Sequence, residues 1–295
     1  MVTRYPSPSA FPVALVLGAV VSVQFGGALA ATLLPVVGVA GSVSLRLIFA
    51  VVIMLAIARP RLRGYHRADW ATVAAFGVAL AGMNAAFYAS LTRLPLGVAV
   101  TIEFIGPLVL AASTTRRVRD IIAVIVAATG VILIAEIAQV NWAQLDILGI
   151  LLALLAGAFW AGYIVLSGRA GARFPRLDGL ALALVVAAVL VTPFGILTAG
   201  DTLLTPEPLI RGLGIAVLSS VLPYSLELVA LRRLSAQVFG ILLSLEPAVA
   251  AIAGFFVLGQ RLDPLQLVGM GCVVGASASV TRSAQPPPTL PDTKL

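Results

Sequence analysis

Charge, cysteine and histidine are all scarce in this chain. Charged residues make up 11% of its 295 positions, against roughly 25% in an ordinary soluble domain. With 60% of residues hydrophobic, no single soluble core could absorb the apolar side chains, and the composition predicts a polytopic helical membrane protein. The one cysteine, Cys272, lies inside an apolar run, which excludes an intrachain disulfide. The one histidine, His66, lies in a basic loop, so an intramembrane Ser-His pair or zinc site is excluded, and no metal or cofactor is expected. Aspartate is missing from the interior of the apolar runs. Asp69, Asp120, Asp146, Asp178, Asp201 and Asp263 fall at run ends or in loops, so the paired aspartates of a membrane aspartyl protease are not there. The chain is therefore read as something other than an enzyme. A scaffold or receptor role finds no soluble domain to read out a signal.

What is present is a series of ten apolar runs, at roughly 11–33, 39–58, 70–91, 95–113, 121–138, 147–167, 179–199, 209–231, 236–258 and 264–281. Each approximates the ~20 residues that carry a helix across the hydrocarbon. The first run, with Arg4 before it and Ala28-Leu29-Ala30 near its end, mimics a cleavable signal peptide. Gln24, Gly26 and Gly27 interrupt it, and we expect it to be retained. Residues 1–10 are expected to be a cytoplasmic N-terminus, and the proline-rich segment 283–295 a disordered cytoplasmic tail.

The net charge of +7 is distributed as a topology signal rather than as a nucleic-acid footprint. With the N-terminus inside, fifteen basic residues fall in inside segments and three, Arg93, Arg211 and Arg261, in outside segments. That bias predicts a multi-pass cytoplasmic-membrane protein with both termini in the cytoplasm. Arg46 alone lies within a run.

The runs also repeat. Arg93-Leu94 and Arg233-Leu234 are 140 residues apart, as are Pro107 and Pro247. The offset is five runs, an odd number, so the two copies enter the membrane from opposite sides. The expected fold is an all-α membrane protein, ten transmembrane helices in two inverted five-helix repeats, covering 11–138 and 147–281.

Ionisable residues inside runs are expensive and mark pathways by default. Glu103 sits near the middle of the fourth run, with Pro107 one turn later. Proline has no N–H, so the Glu103 carbonyl loses its helical partner, and a carbonyl and a carboxylate share one helix face. This could hold a substrate amine or a proton, or it could be a kink with a protonated glutamate bonded to a neighbour. Glu246 precedes Pro247 in the equivalent run. Glu227 lies one turn after Pro223, and either lines the pathway or pairs with Arg232 or Arg233. Arg46 must find an anion, either a glutamate or the carboxylate of a substrate, or it snorkels or forms a structural ion pair. Gln24, Asn84, Tyr88, Trp160, Tyr163 and Tyr224 could line a cavity, or serve as helix–helix contacts and interfacial anchors.

Seven segments carry a likeness: SVQFGGALA at 22–30, LPVVGVAGSVSLRL at 34–47, AGMNAAFYAS at 81–90, PLGVAVTIEFIGPLVLA at 95–111, AGAFWAGYIVLSGRAGA at 156–172, LPYSLELVAL at 222–231 and FGILLSLEPAVAAIAGFFVLGQRL at 239–262. With these the chain resembles the drug/metabolite transporter superfamily with EamA-type repeats, and within it the bacterial threonine/homoserine exporters. The resemblance implies a ten-helix bundle with a central cavity, exporting small hydrophilic amino acids across the inner membrane in exchange for protons. Relatives that move nucleosides, hydrophobic cations or other metabolites leave a second substrate class open. One departure is Ala31, where the compared family member carries a basic residue. The expected partners are a small amino acid, a proton and membrane lipid, with no nucleic acid. The expected site has glutamates beside a hollow at mid-membrane.

Overall fold

The computed structural model describes residues 10–94, 96–114, 118–134, 146–249, 252 and 263–281. Nearly all of the expected N-terminal segment, the tail at 283–295 and the end of the ninth run lie outside the described residues. The described chain is helical throughout. In order it forms α1 (Ala10–Ala58), α2 (Arg67–Leu91), α3 (Leu96–Thr114), α4 (Val118–Ile134), α5 (Ile147–Arg173) and α6 (Asp178–Ala199). A 3-10 turn (Gly200–Leu204) then leads to α7 (Pro206–Ala216), a π-helical turn (Val217–Val221), α8 (Leu222–Leu231), α9 (Ala236–Leu243) and α10 (Pro264–Thr281).

The helices fall where the apolar runs lie, because in hydrocarbon each backbone N–H and C=O must be satisfied within its own segment. Among the described residues, five stretches are long and apolar enough to cross a membrane: Thr32–Ala58, Arg67–Ser90, Ile147–Arg173, Asp178–Leu204 and Pro206–Leu231. Shorter apolar helices lie at Phe11–Gly27, Val98–Ser113, Ala236–Val249 and Pro264–Ser279. The outer surface is correspondingly greasy. Leu197 is 83% exposed and Ile147 74%, an arrangement that suits lipid and not water.

The first two runs are joined inside α1. Gly38 has φ 68 and ψ −178, in the left-handed half of backbone space that glycine enters without penalty. The break lets Leu33 and Leu45 share one apolar cluster with Leu203 and Ile215; a straight helix would hold them roughly 18 Å apart along its axis.

Packing is close wherever small residues meet. α1 lies against α6, α7 and α8; α2 against α5 and α6; α3 against α5 and α9; and α4 against α10. A Cβ on Gly106 of α3 would lie 1.9 Å from the Gly157 oxygen of α5, and one on Gly157 would lie 2.4 Å from the Glu103 oxygen. Backbones this near require glycine on both helices. At the start of α5, Asp146 caps the helix by accepting from the N–H groups of Leu148 and Gly149 at 2.8 and 3.2 Å. It also receives Arg93 at 2.8 Å. The Arg93 guanidinium and these N–H groups hold its carboxyl below the usual carboxylate range.

Candidate functional site

The three prolines behave differently. Pro107 lies within a continuous α3. The Glu103 carbonyl that it strips of an N–H donor is covered by the close approach of Gly157. That carbonyl is therefore part of the α3–α5 contact, where a Cα–H can face it, and is not the open polar spot expected from the sequence. Pro223 is preceded by the π turn. There the Leu222 N–H reaches back to the Val217 oxygen, and the next donor in that register would be Pro223, which has none. The Leu218 carbonyl left over is taken instead by the Ser22 hydroxyl of α1, at 2.7 Å. Pro247 follows a true interruption: α9 ends at Leu243, Ser244 and Leu245 form a turn, and helix resumes at 246–249. The π turn is the part of this that sequence reading missed. Its signal was the missing N–H at Pro223.

Around these interruptions polar side chains gather inside protein, not against the lipid face. Arg46, Asn84, Glu103 and Glu227 are 6%, 5%, 8% and 5% exposed. The Arg46 Nη2 donates to the Asn84 Oδ1, and Asn84 is itself fixed by donating to the Leu80 carbonyl at 2.7 Å. The Arg46 Nε is buried without a hydrogen-bond partner. Tyr224 stands within electrostatic reach of Arg46, Asn84, Glu227 and Tyr88. Tyr163 donates to the Glu227 Oε2 at 2.5 Å and stacks obliquely on Tyr224, with centroids 5.5 Å apart. Phe76, which sequence reading did not single out, closes the other side of Tyr163 at 5.6 Å. Glu246, half-buried, lies within electrostatic reach of both Glu227 and Glu103.

The alternative pairing of Glu227 with the basic residues after α8 is not made. Arg232 donates to the carbonyls of Gly171, Phe174 and Arg176, and the Arg233 guanidinium lies 5.6 Å over the Phe11 ring. Among the described residues, neither Glu103 nor Glu246 has a hydrogen-bond or ion-pair partner, and no carboxylate pairs with Arg46. Trp160 sits edge-on to Phe104 at 5.4 Å, one residue from Glu103. Gln24 is half-buried in α1 and has no such tie to the cluster. Two cavities open at the ends of the bundle. One, of about 360 Å³, lies beside Gly38 and Thr198. The other, of about 730 Å³, lies beside Arg59 and Arg176. Neither is lined by Arg46 or by a glutamate, so these are not the hollow expected beside Glu103 and Glu246.

The cluster holds a guanidinium with an unbonded N–H and carboxyl groups without a described cation partner. A buried cation that lacks an anion is costly, so Arg46 invites an anionic group. Tyr163→Phe tests how tightly Glu227 is held. It removes the sole described donor to a buried carboxyl, and stability is expected to fall by about 1.5–3 kcal/mol, read as earlier thermal aggregation in detergent.

The EamA-like transporter family matches residues 147–282. The threonine/homoserine exporter RhtA of Escherichia coli (strain K12) is 39% identical over 93% of this chain and 92% of its own length. The chain belongs to the EamA-like transporter family. The RhtA of Salmonella typhimurium (strain LT2) is 38% identical over 96% of this chain and 95% of its own. A solved crystal structure aligns with a TM-score of 0.73 at 15% identity, covering 92% of this chain and 96% of that one, which shows a shared fold. Membership of the EamA-like family makes this a multi-pass membrane transporter.

Proposed function

We propose that this EamA-like chain is an inner-membrane exporter of small zwitterionic amino acids of the threonine/homoserine type, exchanging substrate outward for protons inward. The observation that carries the reading is the buried Arg46, oriented by Asn84 with its Nε unbonded, in a bundle that also buries Glu103 and brings Glu246 within electrostatic reach of it. The substrate carboxylate takes the guanidinium, and its ammonium takes a glutamate. Protonation of that glutamate from outside removes the charge holding the ammonium, so proton entry and substrate release compete at one place. Curated relatives carrying the exporter name over nearly the whole chain support the substrate class.

Ten crossings in two inverted five-helix repeats complete the proposal, with both ends in the cytoplasm as the basic residues divide. Three features support the repeat. The turn after α2 and the turn after α8 carry the same bonds: the N–H groups of Arg93 and Leu94 reach the Ser90 oxygen, and those of Arg233 and Leu234 reach the Ala230 oxygen, all at 2.9 Å. Gly130 and Gly269 approach reciprocally, each with an added Cβ that would meet the other's carbonyl, at 2.7 and 2.6 Å. The helix pairing also maps onto itself when each run is exchanged for its counterpart: α4 with α10, α3 with α9, and α2–α5 with the α8–α1 contact. Rocking of one such repeat against the other alternates access.

Glu103→Gln is expected to abolish gradient-driven efflux of labelled threonine from membrane vesicles, while the protein still inserts in normal amount. Efflux at the parent rate would remove Glu103 from the mechanism. A nucleoside or hydrophobic cation exported in place of amino acids would replace the substrate class and leave the fold intact.

A further inference from the structure

The cavity of about 730 Å³ at the far end of α1 is lined by Ala56, Ile57, Arg59, Arg61, Arg176 and Asp178. Three arginines and one aspartate line it. That end of the bundle is the one the charge bias assigns to the cytoplasm.

Not all arginines here are free. Arg173 is committed to the Ala68 carbonyl, Thr72 and Asp69, and Arg232 to three backbone carbonyls. Arg61 and Arg176, by contrast, have no side-chain hydrogen bond or ion pair among the described residues, and the Arg59 Nε reaches only its own helix, at the Ala56 carbonyl 3.3 Å away. The Asp178 carboxylate accepts from Tyr65 at 3.4 Å. Both walls are braced. Arg232 ties down the turn that carries Arg176, and Tyr65 packs on Phe174 of the same turn with centroids 4.5 Å apart, anchoring the segment that carries Arg61. The backbone is also unusual at two of the three arginines. Arg59 and Arg176 both have φ 48, and they are the only described non-glycine residues in the left-handed region. Glycine would be at ease at either place; at Arg59 the conformation closes α1, with the Arg59 N–H on the Leu55 carbonyl at 3.0 Å.

We propose that this cavity binds a phosphate group, that of an anionic phospholipid headgroup. A phosphate presents several acceptor oxygens that planar guanidiniums match in pairs, more than a single carboxylate would use. The exposed Ile57 and Leu62 beside it, 59% and 63% exposed, give the lipid's glycerol and upper chain an apolar bed. Basic pockets at the cytoplasmic ends of helices are suited to such headgroups. The site is separate from the transport cluster and stands whether or not the substrate is an amino acid.

The test takes the full chain in detergent and titrates it with short-chain phosphatidylglycerol, and separately with inorganic phosphate, following binding by native mass spectrometry. The parent protein is expected to retain phosphatidylglycerol. R61Q/R176Q is expected to bind it at least about tenfold more weakly, the loss of charge-assisted contacts. R63Q removes the same kind of charge outside the cavity and is expected to bind like the parent. R61Q alone, which leaves the turn untouched, answers the same question if the double variant is not recovered. Inorganic phosphate bound and lost with the same variants, with phosphatidylglycerol ignored, would identify a free phosphate as the source of the same chemistry. Equal binding of both probes by parent, R61Q/R176Q and R63Q overturns the proposal, as does displacement of the lipid by threonine.

Discussion

Arg46→Lys is expected to stop export while the protein still reaches the membrane. Arg46 is 6% exposed, and one of its guanidinium nitrogens is already engaged by Asn84. Its Nε has no protein partner, and no acid among the described residues pairs with it. A carboxylate docking there meets a planar fork whose orientation has been set in advance, and that is where Arg and Lys differ. Lysine keeps the charge, so insertion and net charge are unchanged. Its ammonium, however, cannot hold Asn84 and a carboxylate in two fixed directions at once. Losing two charge-assisted hydrogen bonds, after allowing for partial replacement, is worth about 3 kcal/mol, or roughly 100-fold in efflux at low substrate. The measurement is initial efflux of labelled threonine per unit of membrane-inserted protein. Efflux within a factor of about two of the parent, well inside the span of one lost hydrogen bond, would mean that Arg46 only holds α1 to α2.

Gly106→Ala is expected to have the larger effect on folding. The new Cβ would stand 1.9 Å from the Gly157 oxygen and 2.4 Å from its carbonyl carbon. These are backbone atoms of a neighbouring helix, so no rotamer change can clear them, and α3 must draw away from α5. That separation would uncover the Glu103 carbonyl, which Pro107 has already deprived of its donor, in a medium without water. Overpacking alone costs about 1–3 kcal/mol; the uncovered carbonyl adds to it. Recovery of monodisperse protein in detergent should fall severely. Gly162→Ala on α5, with nothing within 4 Å of the added carbon, is the control with the opposite sign, since alanine favours helix over glycine by ~1 kcal/mol. Normal recovery of the Gly106 variant would show that α3 and α5 tolerate a wider separation without loss of the fold.

The amino-acid order is informative where the physics is one-dimensional. A run of about twenty apolar residues becomes a helix whatever its neighbours do, because lipid offers the backbone no other partners. The boundary between the first two runs, the helices themselves and the unusual status of Arg46 and the glutamates were all legible in this way. The prolines were read correctly as interruptions of hydrogen bonding, but their consequences depended on other helices. Gly157 covers one freed carbonyl and Ser22 takes another, and neither lies near its proline in the chain. The Tyr163–Glu227 bond joins residues 64 positions apart. Spacing along one helix carries no information about it.

The amino-acid order by itself therefore determined where the described helices lie and which ionisable groups sit within them. The tertiary structure alone decided that Arg46 meets Asn84 and no described glutamate, that Tyr163 holds Glu227, and that the arginines at the end of α1 and before α6 share a cavity. The reason is that helix formation is satisfied locally, residue by residue, whereas a polar side chain in an apolar medium takes its partner from whichever helix is brought against it.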